Sequence, residues 1–116
     1  MAFRLLLVDD DAANLITLEA LLEAEGFDVH TASSTPQAGD VLAGSTFDVV
    51  VADYRLDGSG CEPLLDLVEA TLPKAKVIVL SGDPPDHLST RVSALVPKGE
   101  RFEVLLGKIR SALNGR

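Results

Sequence analysis

Tryptophan is absent and cysteine occurs once, at Cys61. A single cysteine forms no internal disulfide, and without a Cys-x-x-Cys pair there is no zinc-site spacing. The expected compartment is therefore the reducing cytoplasm. Cys61 has no basic neighbour to lower its pKa and reads as structural. Long apolar runs are missing too. The N-terminal run gives way to Asp9-Asp10-Asp11 too early for a signal-peptide core, and no run approaches the length of a membrane span. Cations are scarce: Lys plus Arg number 10 against 18 Asp plus Glu, a net charge of −8. Nucleic acids and anionic membranes are both bound through clustered Lys and Arg, so neither is an expected partner. His30 and His87 lie far apart with no ligand partner at helical spacing, and neither is assigned a role.

What remains is an ordinary globular composition, 47% apolar and 24% charged over 116 residues. That length suits one domain, here taken as residues 1–116, able to bury a core without metal or disulfide staples. No linker, repeat or low-complexity tract interrupts it. Residues 5–8, 49–52 and 77–80 are continuous runs of Leu, Val, Ile and Ala, the pattern of strands buried on both faces. Residues 27–32 alternate more and read as a strand nearer an edge; residues 94–96 form a weaker fifth run.

Helices fill the intervals. The first has Asp11 as N-cap and Gly26 just past its end, with Leu15, Leu18, Leu21 and Leu22 expected on one face and Ile16 off that stripe. Thr35-Pro36 opens a second, which Gly44 closes. Leu64, Leu65 and Val68 mark a third, stopped by Pro73, and Phe102, Leu105, Leu106, Ile109 and Leu113 mark the last. Residues 83–93 suggest at most a short helix after Pro84-Pro85. Alternating strands and helices predict an α/β three-layer sandwich around a parallel sheet with right-handed crossovers.

In such sheets ligands bind beyond the carboxyl ends of the strands. There stand Asp9-Asp10, Asp53, Ser81 and, after Pro97, Lys98. Carboxylates that close together repel unless they protonate or hold a cation, and an all-oxygen set suits Mg2+. A metal and a lysine would attract a phosphoryl group, Ser81 could donate to one of its oxygens, and Asp53 could act as nucleophile to form an acyl phosphate. Singly, each feature has a blander reading. The Asp pair reads as a helix cap and a solvated neighbour, Asp53 and Ser81-Gly82-Asp83 as turn formers, and Lys98-Gly99 as a surface loop. The weight rests on their joint placement at four strand ends.

With these residues in place, the chain resembles, over essentially its whole length, the receiver domain of bacterial two-component response regulators. The carrying segments are Leu6-Leu7-Val8-Asp9-Asp10-Asp11, Asp48-Val49-Val50-Val51-Ala52-Asp53-Tyr54-Arg55-Leu56, Val77-Ile78-Val79-Leu80-Ser81-Gly82 and Pro97-Lys98. The resemblance implies a flavodoxin-like fold with five parallel strands in order 2-1-3-4-5 and five helices. It implies Asp53 as phosphoacceptor, served by a histidine kinase or phosphotransfer protein. Asp9, Asp10 and Asp53 would hold Mg2+ with the backbone carbonyl of Arg55, and Ser81 and Lys98 would contact the phosphoryl group.

Four features depart from the family pattern. Gly99 stands where a proline, joined by a cis bond, usually follows the lysine; a cis bond to a non-proline costs about 2.5–4 kcal/mol, which favours a trans bond here. Asp57 and Cys61 stand where the loop after the phosphoacceptor usually has Pro and Gly. Only 16 residues separate Ser81 from Lys98, which predicts a shortened fourth helix. Leu95 stands at a switch position that is usually aromatic, and it cannot make the hydrogen bond that the resemblance implies for an aromatic residue there.

Two other function classes compete. One is a receiver-like binding module that works without phosphorylation, favoured by Leu95, Gly99 and the short fourth-helix region and disfavoured by the intact acids. The other is a small Mg2+-dependent aspartyl phosphatase. It is disfavoured because Arg55 stands where such hydrolases of the haloacid type carry a second Asp, and because no cap segment is evident. No DNA-binding or catalytic output segment is expected after the last helix. The downstream target and self-association are left open. Ile16 is either a kinase-docking residue or is covered by a neighbouring loop.

Overall fold

A computed structural model describes residues 2–56, 59–82 and 91–114. The elements in order are β1 (Arg4–Val8), α1 (Ala12–Ala24), β2 (Asp28–Ala32), α2 (Thr35–Gly44), β3 (Val49–Asp53), β4 (Arg55–Leu56), β5 (Ser59–Gly60), α3 (Glu62–Thr71), β6 (Lys76–Ser81), β7 (Ala94–Pro97) and α4 (Phe102–Asn114). Five of the strands make one parallel sheet in the order β2-β1-β3-β6-β7. Counted along that sheet alone, this is the expected 2-1-3-4-5 arrangement.

The three layers follow from the period-two alternation of strand side chains. Leu6, Val8, Val50, Ala52, Val77 and Val79 point to one face and pack with Ala38 and Leu42 of α2 and Leu64, Leu65 and Val68 of α3. Leu5, Leu7, Val49, Val51, Ile78 and Leu80 point to the other, against Leu22 of α1 and Leu105, Ile109 and Leu113 of α4. Both faces are covered, so the central strands are apolar at every position rather than alternating.

Local signals set the helix ends. The Asp11 carboxylate accepts from the Ala13 and Asn14 amides at 2.9 and 3.3 Å and so caps α1. Gly26, at φ +98, carries the chain away from its far end in the left-handed conformation that favours glycine. Ser34 caps α2 by accepting from the Gln37 amide at 3.2 Å.

Two expectations are corrected. Leu21, expected on the inward stripe of α1, is exposed, with 39% of its surface open. It precedes Leu22 by one residue, about 100° around the helix, and that rotation carries it off the buried face. Leu22 is the only described buried residue of α1; Leu15 and Leu18 are half-buried. The second correction is an addition. Arg55 and Leu56 pair antiparallel with Gly60 and Ser59 in a two-stranded hairpin beside the main sheet. Leu56 anchors it by packing, fully buried, in the cluster that holds Cys61 and Leu64. The expected shortened fourth helix falls mostly on residues 83–90, and Asp57 on 57–58, so both lie outside the described residues. Among the described residues no helix is long and apolar enough to cross a membrane.

Gly107 sits exposed in the interior of α4, and a methyl group added there would meet nothing within 4 Å. Glycine in a helix interior costs roughly 0.5–1 kcal/mol relative to alanine. Gly107→Ala is therefore expected to raise stability by about that amount, read as a higher urea midpoint at unchanged slope. A lower midpoint would mean that α4 packs more closely at this point than described.

Candidate functional site

The carboxyl ends of β1, β3, β6 and β7 all open on the same edge of the sheet because the strands are parallel. β1 delivers Asp9 and Asp10, β3 ends in Asp53, β6 ends in Ser81, and Lys98 follows β7 directly. Backbone bonds carry the ladder to this level: the Asp9 amide donates to the Ala32 carbonyl at 3.1 Å, Tyr54 to Leu80 at 2.7 Å, and Lys98 to Ser81 at 2.8 Å. The last of these fixes the lysine backbone against the strand that carries the hydroxyl residue. All five side chains named from the sequence are thus brought to one end of the sheet. Arg55, the sixth residue, follows two positions after Asp53 and opens the hairpin, its amide donating to Asp53 Oδ1 at 3.3 Å.

Asp9, Asp10 and Asp53 each offer a carboxylate oxygen, and these atoms lie within 4.8 Å of one another. Asp9 and Asp53 are buried, 1% and 6% exposed, while Asp10 faces solvent. At such spacing each pair of unit charges repels by roughly 3 kcal/mol at an effective dielectric of 20. Lys98 supplies a compensating charge, its Nζ donating to Asp53 Oδ2 at 2.8 Å. Burial alone would lower the Lys98 pKa, but the hydrogen bond it donates to Asp53 and the charges of Asp53, Asp9 and Asp10 outweigh it and raise the pKa above the ordinary lysine value. Asp9 shifts upward from 3.8. Burial is the largest cause and the Asp53 charge adds to it, against the Asp11 amide, Lys98 and Asn14, which pull it down.

The donor set is all oxygen, carries three formal charges and leaves Asp10 open to solvent. That suits a small, hard, partly hydrated divalent cation such as Mg2+ and does not suit zinc or copper. A cleft of about 330 Å3 runs from Asp9 and Lys98 between α1 and the segment after β7, with Leu18, Leu80, Val96, Phe102 and Leu105 along it.

The departures from the family pattern take definite positions. No cis peptide bond occurs among the described residues, so the Lys98–Gly99 bond is trans, and Gly99 adopts φ +92. Lys98 nevertheless reaches Asp53. Leu95 is half-buried and packs on the Leu6–Val50–Leu64 side of the sheet. Cys61 is buried and free, its thiol pushed up to about 11 by burial and by neighbouring Glu62, so it is inert as a nucleophile. Ile16 is 70% exposed, which excludes the reading that a loop covers it.

Sequence reasoning passed over Asn14, whose side-chain amide donates to Asp9 Oδ2 at 3.4 Å. The signal available was its place, three residues after a capping aspartate, where Glu or Gln is the usual choice. It also missed the hairpin, although Asp57-Gly58 between Leu56 and Ser59 is a strong hairpin-turn dipeptide.

Known proteins share this fold. The family model of the response regulator receiver domain matches residues 5–102. The alginate biosynthesis transcriptional regulatory protein AlgB of Pseudomonas aeruginosa is 38% identical over 78 residues, 67% of this chain and 17% of that protein, so the chain spans only a small part of that relative. Among solved structures, the signal receiver domain of an HD domain-containing protein from Pseudomonas fluorescens superposes with a TM-score of 0.89 at 26% identity, covering 99% of this chain and 97% of that one. The response regulator TrrA of Thermotoga maritima, solved with Mg2+ and BeF, superposes at 0.85 with 25% identity, covering 97% of this chain and all of that one. A family match that runs from the second residue of β1 to the first of α4, together with this parallel fold, leaves one conclusion: the chain belongs to the response regulator receiver domain family.

Proposed function

We propose that this domain is a phosphoacceptor switch in which Asp53 takes a phosphoryl group, with Mg2+, from a histidine kinase or phosphotransfer protein. The observation that carries the reading is the Lys98–Asp53 contact at 2.8 Å beside the Asp9–Asp10–Asp53 acids. It couples a nucleophile, a cation and a hard-metal donor set within one half-buried site. The T. maritima neighbour was solved with Mg2+ and BeF, which supports the same chemistry here.

In the proposed step an Asp53 carboxylate oxygen forms a bond to phosphorus as the bond to the donor breaks. The bonding pair leaves with the donor's nitrogen or oxygen, which is then protonated from solvent. Lys98 neutralises Asp53 beforehand and then one of the phosphoryl oxygens. Ser81, buried at the end of β6, stands at the strand end beside them and would donate to another. Asp9, Asp10, Asp53 and the Arg55 carbonyl would hold Mg2+, whose contribution when bound is to offset charge on the transferring group. Hydrolysis of the acyl phosphate resets the domain, and the two forms differ in the partners they favour.

The test is intact-mass spectrometry of the protein incubated with Mg2+ and a small acyl phosphate. A Mg2+-dependent gain of one phosphoryl mass is expected. No gain from a small donor or from a phosphorylated histidine kinase would sink the reading and leave the phosphorylation-independent module, which Leu95 and Gly99 favour.

Ile16 is the proposed contact for the donor protein. It is an open apolar side chain on α1, the helix that borders the cleft beside Asp9 and Lys98. Burying such a side chain contributes about 1.5–3 kcal/mol, and each 1.4 kcal/mol is a factor of ten. Ile16→Glu is expected to slow transfer from a phosphorylated kinase about tenfold or more while leaving uptake from a small donor unchanged. Equal slowing of both would point to damage at the site rather than lost docking.

A further inference from the structure

We infer that Asn14 is a positioning residue that orients the Asp9 carboxylate for the divalent cation, an inference that rests on the proposed function. The local geometry carries it. In a usual capping box the third helical residue is Glu or Gln, and its side chain accepts from the amide of the capping residue. Here α1 begins at Ala12 and its third residue is Asn14. The amide of the cap, Asp11, is already taken: it donates to Asp9 Oδ1 at 2.9 Å. Asp9 thus fills the acceptor's place from outside the helix, and a glutamate at 14 would meet a like charge.

An amide at that position can instead donate, and Asn14 Nδ2 does so to Asp9 Oδ2 at 3.4 Å. The amide orientation follows from chemistry, because its oxygen turned the same way would face a carboxylate. The two Asp9 oxygens are therefore held by two donors from the first turn of one helix, itself fixed by the Asp11 cap. A buried carboxylate held at both oxygens keeps one rotamer and presents a fixed remaining lone pair. Partners of this kind typically change metal affinity about 10–100-fold when removed. The long 3.4 Å bond places the expected effect at or just below the bottom of that range, about fivefold to tenfold.

The test measures Mg2+ binding by calorimetry, and the melting temperature in EDTA, for the unmodified chain, Asn14→Ala and Asn14→Leu. Both variants are expected to bind Mg2+ about fivefold or more weakly. Their metal-free melting temperatures should stay near that of the parent, because the better helix propensity of Ala and Leu offsets the lost hydrogen bond to the buried Asp9 carboxylate. A residue that only supported the helix would move the melting temperature and leave the Mg2+ affinity alone, and that result in either folded variant overturns the inference. Absence of Mg2+ binding by the unmodified chain is a separate outcome; it removes the metal-dependent reading and this inference with it.

Discussion

Asp53→Asn is expected to abolish phosphoryl uptake from every donor while leaving the domain folded. The nucleophile in the proposed step is a carboxylate oxygen, and a neutral amide lacks the electron density to displace a leaving group from phosphorus. Asparagine has almost the same volume, so the packing at the end of β3 is kept, and the Arg55 amide retains an acceptor at its 3.3 Å contact. What changes is charge. Lys98 loses the ionised partner at 2.8 Å, while the repulsion of Asp53 on Asp9 and Asp10 disappears. The opposed changes leave stability within about 1 kcal/mol, by the scale of partly exposed ion pairs. Intact-mass spectrometry with Mg2+ and acyl phosphate, beside a urea melt, reads both effects. Undiminished phosphoryl gain by the variant would move the acceptor to another side chain.

Asp9→Asn is the second large effect, and its sign is opposite for folding and for metal binding. Burial and the Asp53 charge raise the Asp9 pKa above 3.8, so the folded protein binds that proton more tightly than the unfolded chain does. Such a group opposes folding fully at pH values above its folded pKa. The penalty fades as pH falls through that value towards 3.8, below which both states are protonated. Removing the charge should therefore stabilise the metal-free domain at neutral pH, read as a higher urea midpoint. The advantage should shrink steadily on acidification. In the same variant the cation loses one of three acids, and Mg2+ affinity should fall at least about tenfold. Urea midpoints in EDTA from neutral to acid pH test the first part and calorimetry the second. A variant less stable than its parent at neutral pH would mean that the Asp9 contacts to Asp11 and Asn14 outweigh the desolvation of its charge.

Much of this was legible beforehand for a physical reason. Strands buried on both faces are written as unbroken apolar runs, and residues 5–8, 49–52 and 77–80 announce the centre of the sheet; the acids and the lysine then lie at its end by connectivity alone. The edge strands were harder. β7 has four residues, and its Ala94 and Leu95 are only half-buried, so its signal was weak. Leu21 failed because α1 is leucine-rich on more than one side, and periodicity cannot choose the buried face where apolar residues surround a helix. The hairpin at Leu56 and Ser59 escaped because two-residue strands are shorter than any periodic pattern. Asn14 escaped because its meaning depends on a partner five residues back, outside the helix that holds it.

The backbone at Gly99 bears on how this sequence can change. Proline holds φ near −65°, and Gly99 sits at +92°. A proline at position 99 would therefore force the backbone there away from its present angle. Other L-residues also rarely adopt that angle, so the position is held as glycine by the loop's own shape. A proline substituted at position 99 is therefore expected to destabilise this loop, and the shape of the backbone rather than any side-chain contact sets that limit.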